Sequence, residues 1–130
     1  MRRARATRED LGLTRLLRSL RACGDAFVSL GDLSRRSRRP RSSVEKGLRR
    51  LRALGHTLEE SPIAGYRLLQ SPDSLRPESV FSQGPEEPWG HPYYLLDTVT
   101  STNDLCHVLA QEGAPEGTLT VAETQRKGRG

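Results

Sequence analysis

Four prolines, Pro72, Pro77, Pro85 and Pro88, fall within one short stretch of the chain, SPDSLRPESVFSQGPEEPWG, residues 71–90. Proline has no N–H to donate and fixes its own φ, so such a stretch holds neither a long helix nor a central strand. The chain is therefore expected to fold as separate pieces: residues 1–69, a Pro-rich linker over 70–90, and residues 91–130. Val80, Phe81 and Trp89 give that linker apolar anchor points. With 130 residues in all, 34% of them hydrophobic, neither piece has the material for a large enzyme core.

Charge divides at the same place. Residues 1–69 carry 17 Lys and Arg against 7 Asp and Glu, and residues 70–130 carry 4 against 9, so a net +5 hides +10 and −5. Within the basic part, residues 35–52 hold nine cations (Arg35, Arg36, Arg38, Arg39, Arg41, Lys46, Arg49, Arg50 and Arg52) against Glu45 alone. A solvated helix face mixes both signs, and a run of one sign points to a polyanion, above all nucleic acid. No apolar run approaches the ~20 residues that cross a bilayer. The start, with Arg2, Arg3, Arg5 and Arg8, leads into Glu9 and Asp10 without the apolar core of a signal peptide, so a cytoplasmic chain with no membrane contact is expected. Cys23 and Cys106 are far apart, and His56, His91 and His107 are scattered, a pattern of free thiols and no protein-bound metal.

The basic part reads as a winged helix-turn-helix. Leu11, Leu13, Leu16, Leu17 and Leu20 recur at helical steps and predict a helix from about Arg8 to Ala22, ending near Cys23 and Gly24. After a short extended piece over residues 25–29, Asp32 is expected to cap a brief second helix around Leu33. Pro40 suits a first turn, so a third helix runs from there to Ala53, with Val44, Leu48 and Leu51 inward and Gly55 as its left-handed stop. The outer face then carries Arg41, Ser42, Ser43, Glu45, Lys46, Arg49 and Arg52. This is how a recognition helix is offered to the major groove. Residues 56–60 and 66–69 are short strands joined by residues 61–65, a hairpin placed where a wing belongs.

Candidate DNA contacts are Arg38, Arg39, Arg41, Ser42, Ser43, Lys46, Arg49 and Arg50. Arginine and lysine aimed at phosphate give affinity, whereas Arg41, Ser42 and Ser43 at the helix start are placed to read bases. If roughly four phosphates are neutralised, the log–log salt slope is about −3.6, and replacing Arg49 and Arg50 by Ala should flatten it. Arg67 is assigned neither to DNA nor to solvent.

The last forty residues open an α/β domain: a strand at Tyr93–Asp97, a turn at 98–100, Ser101 or Thr102 as N-cap, a helix over 103–111 with Leu105, Val108 and Leu109 inward, and a strand over 118–123. The chain then runs through Gly128-Arg129-Gly130, bare amides beside a fork-shaped cation, a combination suited to an anion.

Ser101-Thr102-Asn103 at a helix start, then a strand, then Gln125 and Gly128-Arg129-Gly130, all behind a winged helix and a Pro-rich linker, closely resemble the bifunctional biotin protein ligase and biotin operon repressor family. The basic half matches best at Leu51-Arg52-Ala53-Leu54-Gly55 and Gly65-Tyr66. The resemblance implies an α+β chain: an N-terminal winged helix-turn-helix followed by the truncated start of an α/β ligase catalytic domain. It also implies an enzyme that makes biotinyl-5'-adenylate from biotin and ATP, with Mg2+ accompanying the ATP. The biotinyl group then passes to a lysine of the biotin carboxyl carrier domain of acetyl-CoA carboxylase. The adenylate acts as corepressor at the operator of biotin genes, and a homodimer is possible at full length.

Carried over by match, Ser101, Thr102, Asn103, Gln125, Arg129 and Gly130 line the biotin site. The ureido ring of biotin needs neutral donors and acceptors, which hydroxyls and a carboxamide supply. The family's catalytic lysine is expected beyond Gly130, so the chain alone is expected to release no pyrophosphate from ATP and biotin. Ser37, Arg38 and Arg39 depart from the apolar, glycine and apolar residues usual in the family's turn. The alternative is a stand-alone winged-helix transcriptional regulator with a vestigial ligase segment.

Overall fold

Leucine spacing and proline placement produce most of the elements in the computed structural model, which describes residues 4–5, 7–84 and 90–128. The order is β1 (Ala4–Arg5), α1 (Arg8–Ala22), α2 (Leu30–Ser37), α3 (Arg41–Ala53), β2 (Thr57–Ser61), β3 (Gly65–Gln70), α4 (Pro77–Phe81), β4 (Tyr93–Val99), α5 (Thr102–Gln111) and β5 (Leu119–Gln125). The chain is α+β and divides into two units, Arg8–Pro85 and Met1–Thr7 with Glu86–Gly130.

In the first unit α1 buries Leu13, Leu16, Leu17 and Leu20, which close on Leu33 of α2 and on Val44, Leu48 and Leu51 of α3. Leu11 is 42% exposed, contrary to its expected place on that stripe. It stands two positions before Leu13, about 200° round the helix and so on the far side. Gly47 breaks helix propensity in the middle of α3 for a packing reason: a Cβ there would lie 2.7 Å from Leu16 Cδ2. Close approach of α1 and α3 offsets the ~1 kcal/mol that a mid-helix glycine costs.

Ser29, not Asp32, caps α2. The Ser29 hydroxyl accepts the Asp32 N–H at 3.1 Å, while the Asp32 carboxylate pairs with Arg35 one turn on. Both residues suit a cap by type, and the difference is that α2 starts three residues earlier than the apolar pattern suggested. Ser37 occupies a buried position and satisfies its hydroxyl by donating to Leu33 O at 2.6 Å. β2 and β3 pair antiparallel from Thr57↔Gln70 to Ser61↔Gly65, and Val28 adds a bridge to Tyr66.

Residues 71–84 pack on α1 through polar groups. Arg18 donates to Phe81 O at 2.7 Å and Gly84 O at 2.9 Å, Arg21 to Ser71 Oγ at 3.2 Å, and Arg76 to Asp10 of α1 at 3.4 Å, while Arg76 also holds the buried Glu78 of its own segment at 2.6 Å. Val80 is 37% exposed, and Trp89 lies outside the described residues. His56 is buried here, with Nδ1 3.0 Å from Ser71 Oγ. Burial pushes its pKa below the ordinary 6.5, Arg21 pushes the same way, and the Glu78 carboxylate pulls against them.

An unfolded chain therefore protonates His56 at a pH where the folded chain does not, and stability falls as pH drops through that window below 6.5. The expected result is a lower urea midpoint at pH 5.5 than at pH 7.5, with a smaller drop in His56→Gln. An equal drop in the variant would assign the effect to other groups.

In the second unit β4 lies between β1, antiparallel through Ala4↔Leu95 and Arg5↔Tyr94, and β5, parallel from Tyr93↔Leu119 to Val99↔Gln125. Parallel neighbours need a crossover, which α5 supplies. Leu96, Val99, Leu105 and Leu109 form its core with Tyr94, Ala114 and Ala122. Val108, expected inward, is 43% exposed: α5 is covered by the sheet along one narrow line only. Among the described residues no helix is long and apolar enough to cross a membrane.

Candidate functional site

The outer face of α3 is assembled by the same spacing that builds the core. Val44, Gly47, Leu48 and Leu51 point inward, which leaves Arg41, Ser42, Lys46 and Arg49 exposed and Ser43 half-buried. Pro40 precedes the helix as its N-cap with no side-chain hydrogen bond, so the first-turn amides are not taken by a capping side chain. Several of the other cations already face carboxylates. Arg50 Nε lies 3.8 Å from Glu9, and Arg52 lies 3.6 Å from Glu60. Among the described residues Arg41, Lys46 and Arg49 carry no ion pair, so their charge is undiminished.

Arg38 and Arg39 belong to the turn between α2 and α3. Arg38 is exposed, while Arg39 is half-buried and lies across Gly12 of α1, where a Cβ would meet its Nη1 at 2.2 Å. Arg67 has a structural task. Its Nε donates to Glu59 at 3.1 Å, its Nη1 to Asp25 O at 3.2 Å, and its guanidinium stacks 4.5 Å from the Phe27 ring. The β2–β3 tip presents Ile63 at 99% exposure.

A second cluster forms at the carboxyl end of β4 in the other unit. Parallel register sets Gln125 beside Val99, and the Arg126 and Lys127 N–H groups donate to Val99 O at 2.9 Å and Thr100 O at 2.8 Å. This carries the end of β5 over the start of α5. The Thr102 N–H and hydroxyl both donate to Gln125 Oε1, at 2.9 and 3.1 Å. A backbone amide only donates, so Oε1 must be the acceptor, and the Gln125 NH2 makes no hydrogen bond among the described residues.

Ser101 is the N-cap of α5 by position, yet its hydroxyl makes no capping bond. It is 2% exposed and its Oγ has no hydrogen-bond partner among the described residues. A buried hydroxyl left open beside the Thr102–Gln125 pair is a feature that capping alone does not explain. Asn103 is exposed on the first turn. Gly128 passes close to the carboxamide, where a Cβ would be 3.2 Å from Gln125 Nε2. Arg129 and Gly130 lie outside the described residues. The structure thus brings Ser101, Thr102 and Gln125 together. Sequence reading missed the backbone clamp from Arg126 and Lys127, which depends on strand register and leaves no side-chain signature. Among the described residues no group of three or more His, Cys, Asp or Glu is gathered as a metal site.

No protein-family model matches the chain. It is 35% identical over 107 residues to the bifunctional ligase/repressor BirA of Bacillus spizizenii, and to the same degree to that of Bacillus subtilis. The match takes in 82% of this chain and 33% of each relative, so the chain spans about a third of the length of the curated proteins it matches. Arg8–Pro85 comprises 78 residues, so at least 29 of the 107 matched residues lie in the other unit. Similarity is therefore not confined to the helices and hairpin.

Proposed function

Because this chain belongs to the family of the bifunctional ligase/repressor BirA proteins, matching their N-terminal region, we propose that it joins a winged-helix DNA-binding unit to the opening of a biotin protein ligase domain. Residues 1–69 are the DNA-binding domain, 70–90 the connection and 91–130 the start of the ligase. α3 is the recognition helix, with Arg41, Ser42 and Ser43 toward base edges and Lys46 and Arg49 toward phosphates, and the β2–β3 hairpin is the wing. Arg38, Arg39 and Arg50 flank it.

The parent activity is formation of biotinyl-5'-adenylate from biotin and ATP, with Mg2+ accompanying the nucleotide, and transfer of biotin to a lysine of a biotin carboxyl carrier domain. Ser101, Thr102, Asn103 and Gln125 contribute to the biotin pocket, with Arg129 and Gly130 beginning the loop over it. Thr102 orients the Gln125 carboxamide so that its NH2 faces a ligand carbonyl, and the open Ser101 hydroxyl is a second neutral donor. Neutral, preplaced donors fit the ureido oxygen of biotin.

The observation that carries this reading is the extent of the match, which reaches from the basic helices into the β4–α5–β5 segment. It also disfavours a stand-alone regulator with a vestigial segment, since a purely DNA-binding protein has no use for the Ser101–Gln125 arrangement. The test is residue-resolved NMR of the chain titrated separately with a DNA duplex and with biotin. The expected result is that DNA shifts amides of α3 and biotin shifts those of Ser101, Thr102 and Gln125. Biotin shifts that are absent or scattered over the chain would remove the ligase half of the proposal.

A further inference from the structure

The turn between α2 and α3 keeps an arginine where the backbone asks for glycine. Arg38 has φ 56° and ψ 42°, and among the described residues it is the non-glycine residue with positive φ. In that region Cβ crowds the following carbonyl, which is why glycine dominates there. The turn does not need the Arg38 side chain: the Arg38 N–H reaches Arg35 O at 3.3 Å, the Arg39 N–H reaches Ser34 O at 3.1 Å, and the Ser34 hydroxyl donates to Arg39 O at 2.5 Å. Glycine would make the same turn without strain, so the guanidinium is the feature left to explain it.

The neighbouring cations are otherwise engaged. Arg35 pairs with Asp32, and Arg39 lies against Gly12. Arg36 and Arg38 are exposed with no carboxylate partner among the described residues, and Arg41 follows at the first position of α3.

We propose that this corner is a phosphate clamp for duplex DNA, in which Arg36 and Arg38 grip the sugar–phosphate backbone beside the groove that α3 enters. The inference rests on the DNA-binding reading above and deepens it. A guanidinium forks onto phosphate oxygens, and such contacts add affinity without sequence choice. The clamp makes a large share of the binding indifferent to sequence.

Arg38→Gly separates the two roles of the residue, because it relieves the turn while removing the charge. The experiment measures fluorescence anisotropy of an arbitrary-sequence duplex of about 20 base pairs with the 130-residue chain, across salt concentrations, alongside thermal melting. Arg38→Gly is expected to melt no lower than wild type, yet to bind roughly five- to tenfold more weakly at about 0.1 M salt, with a log–log slope shallower by about 0.9. Arg38→Lys keeps the charge and is expected to keep the slope.

Unchanged affinity and slope in Arg38→Gly, while loss of Lys46 and Arg49 flattens the slope, would overturn the clamp and leave the DNA-binding reading standing. A lower melting temperature for Arg38→Gly would also overturn it, since the turn would then favour arginine for its own sake. Failure of the wild-type chain to bind the duplex at low salt would overturn both.

Discussion

Gly65→Ala is expected to destabilise the Arg8–Pro85 unit by about 3–5 kcal/mol, a large fraction of the roughly 5–15 kcal/mol that holds a domain folded. Gly65 opens β3 with φ +107°, and a Cβ there would sit 2.1 Å from Val28 O, 2.7 Å from Val28 C and 2.8 Å from Ser29 Cα. All three are backbone atoms, so no rotamer change relieves the clash. Val28 must withdraw, and with it go the two 2.8 Å hydrogen bonds it exchanges with Tyr66.

Each of those bonds contributes about 1 kcal/mol, and the left-handed backbone adds about 1–2 kcal/mol of strain. Ser29 is also the cap of α2, so the disturbance reaches the helix that leads into α3. Gly24→Ala is the matched control. Its φ is +56°, but nothing lies within 4 Å of the new methyl, so only the strain of about 1–2 kcal/mol is expected. Urea unfolding followed by circular dichroism checks both. A Gly65→Ala cost no greater than that of Gly24→Ala would mean that the contact with Val28 is not structural.

That control also shows what local sequence encodes. α1 and α3 were legible because four leucines at helical steps, and Pro40 ahead of Val44, Leu48 and Leu51, specify helices without reference to anything distant. The hairpin is legible from its two short strands and the glycine-containing loop over 61–65, although the reason for glycine at 65 is the passage of the Val28 backbone, 37 positions earlier in the chain and invisible as a local pattern. Such nonlocal causes are where reading fails.

The two-residue β1 is too short for any periodicity and exists through its pairing with Leu95 and Tyr94. Residues 71–84 look like a connection because their anchors are the side chains of Arg18, Arg21 and Arg76, whose partners depend on tertiary placement. Leu11 and Val108 show that apolar type alone does not set burial: Leu11 lies on the far side of α1 from Leu13, and Val108 shares the Leu105–Leu109 side of α5 but falls outside the narrow line that the sheet covers. At the β4–α5 end, Ser101, Thr102 and Gln125 were legible as types. The direction of the Gln125 carboxamide and the open Ser101 hydroxyl required strand register.

The largest functional effect is expected from the double variant Lys46→Ala, Arg49→Ala. Both side chains are exposed on α3, three positions apart and therefore on one face, and neither has a carboxylate partner among the described residues. Alanine is at least as good a helix former as either residue, and both point away from Val44, Leu48 and Leu51, so the fold is retained.

If each neutralises one phosphate, the log–log salt slope becomes shallower by about 1.8, and affinity at about 0.1 M salt falls roughly 60-fold. The contrasting double variant, Arg52→Ala with Arg67→Ala, removes the same formal charge. Arg52 faces Glu60 at 3.6 Å and Arg67 faces Glu59 at 2.5 Å, so both cations are already offset. Removing them unmasks two carboxylates and costs fold stability at Phe27 and Asp25, but it releases no phosphate contact, so the slope stays within about 0.5 of wild type. Equal flattening by the two variants would mean that total charge, rather than the α3 face, governs binding, and α3 would lose its place as the recognition helix.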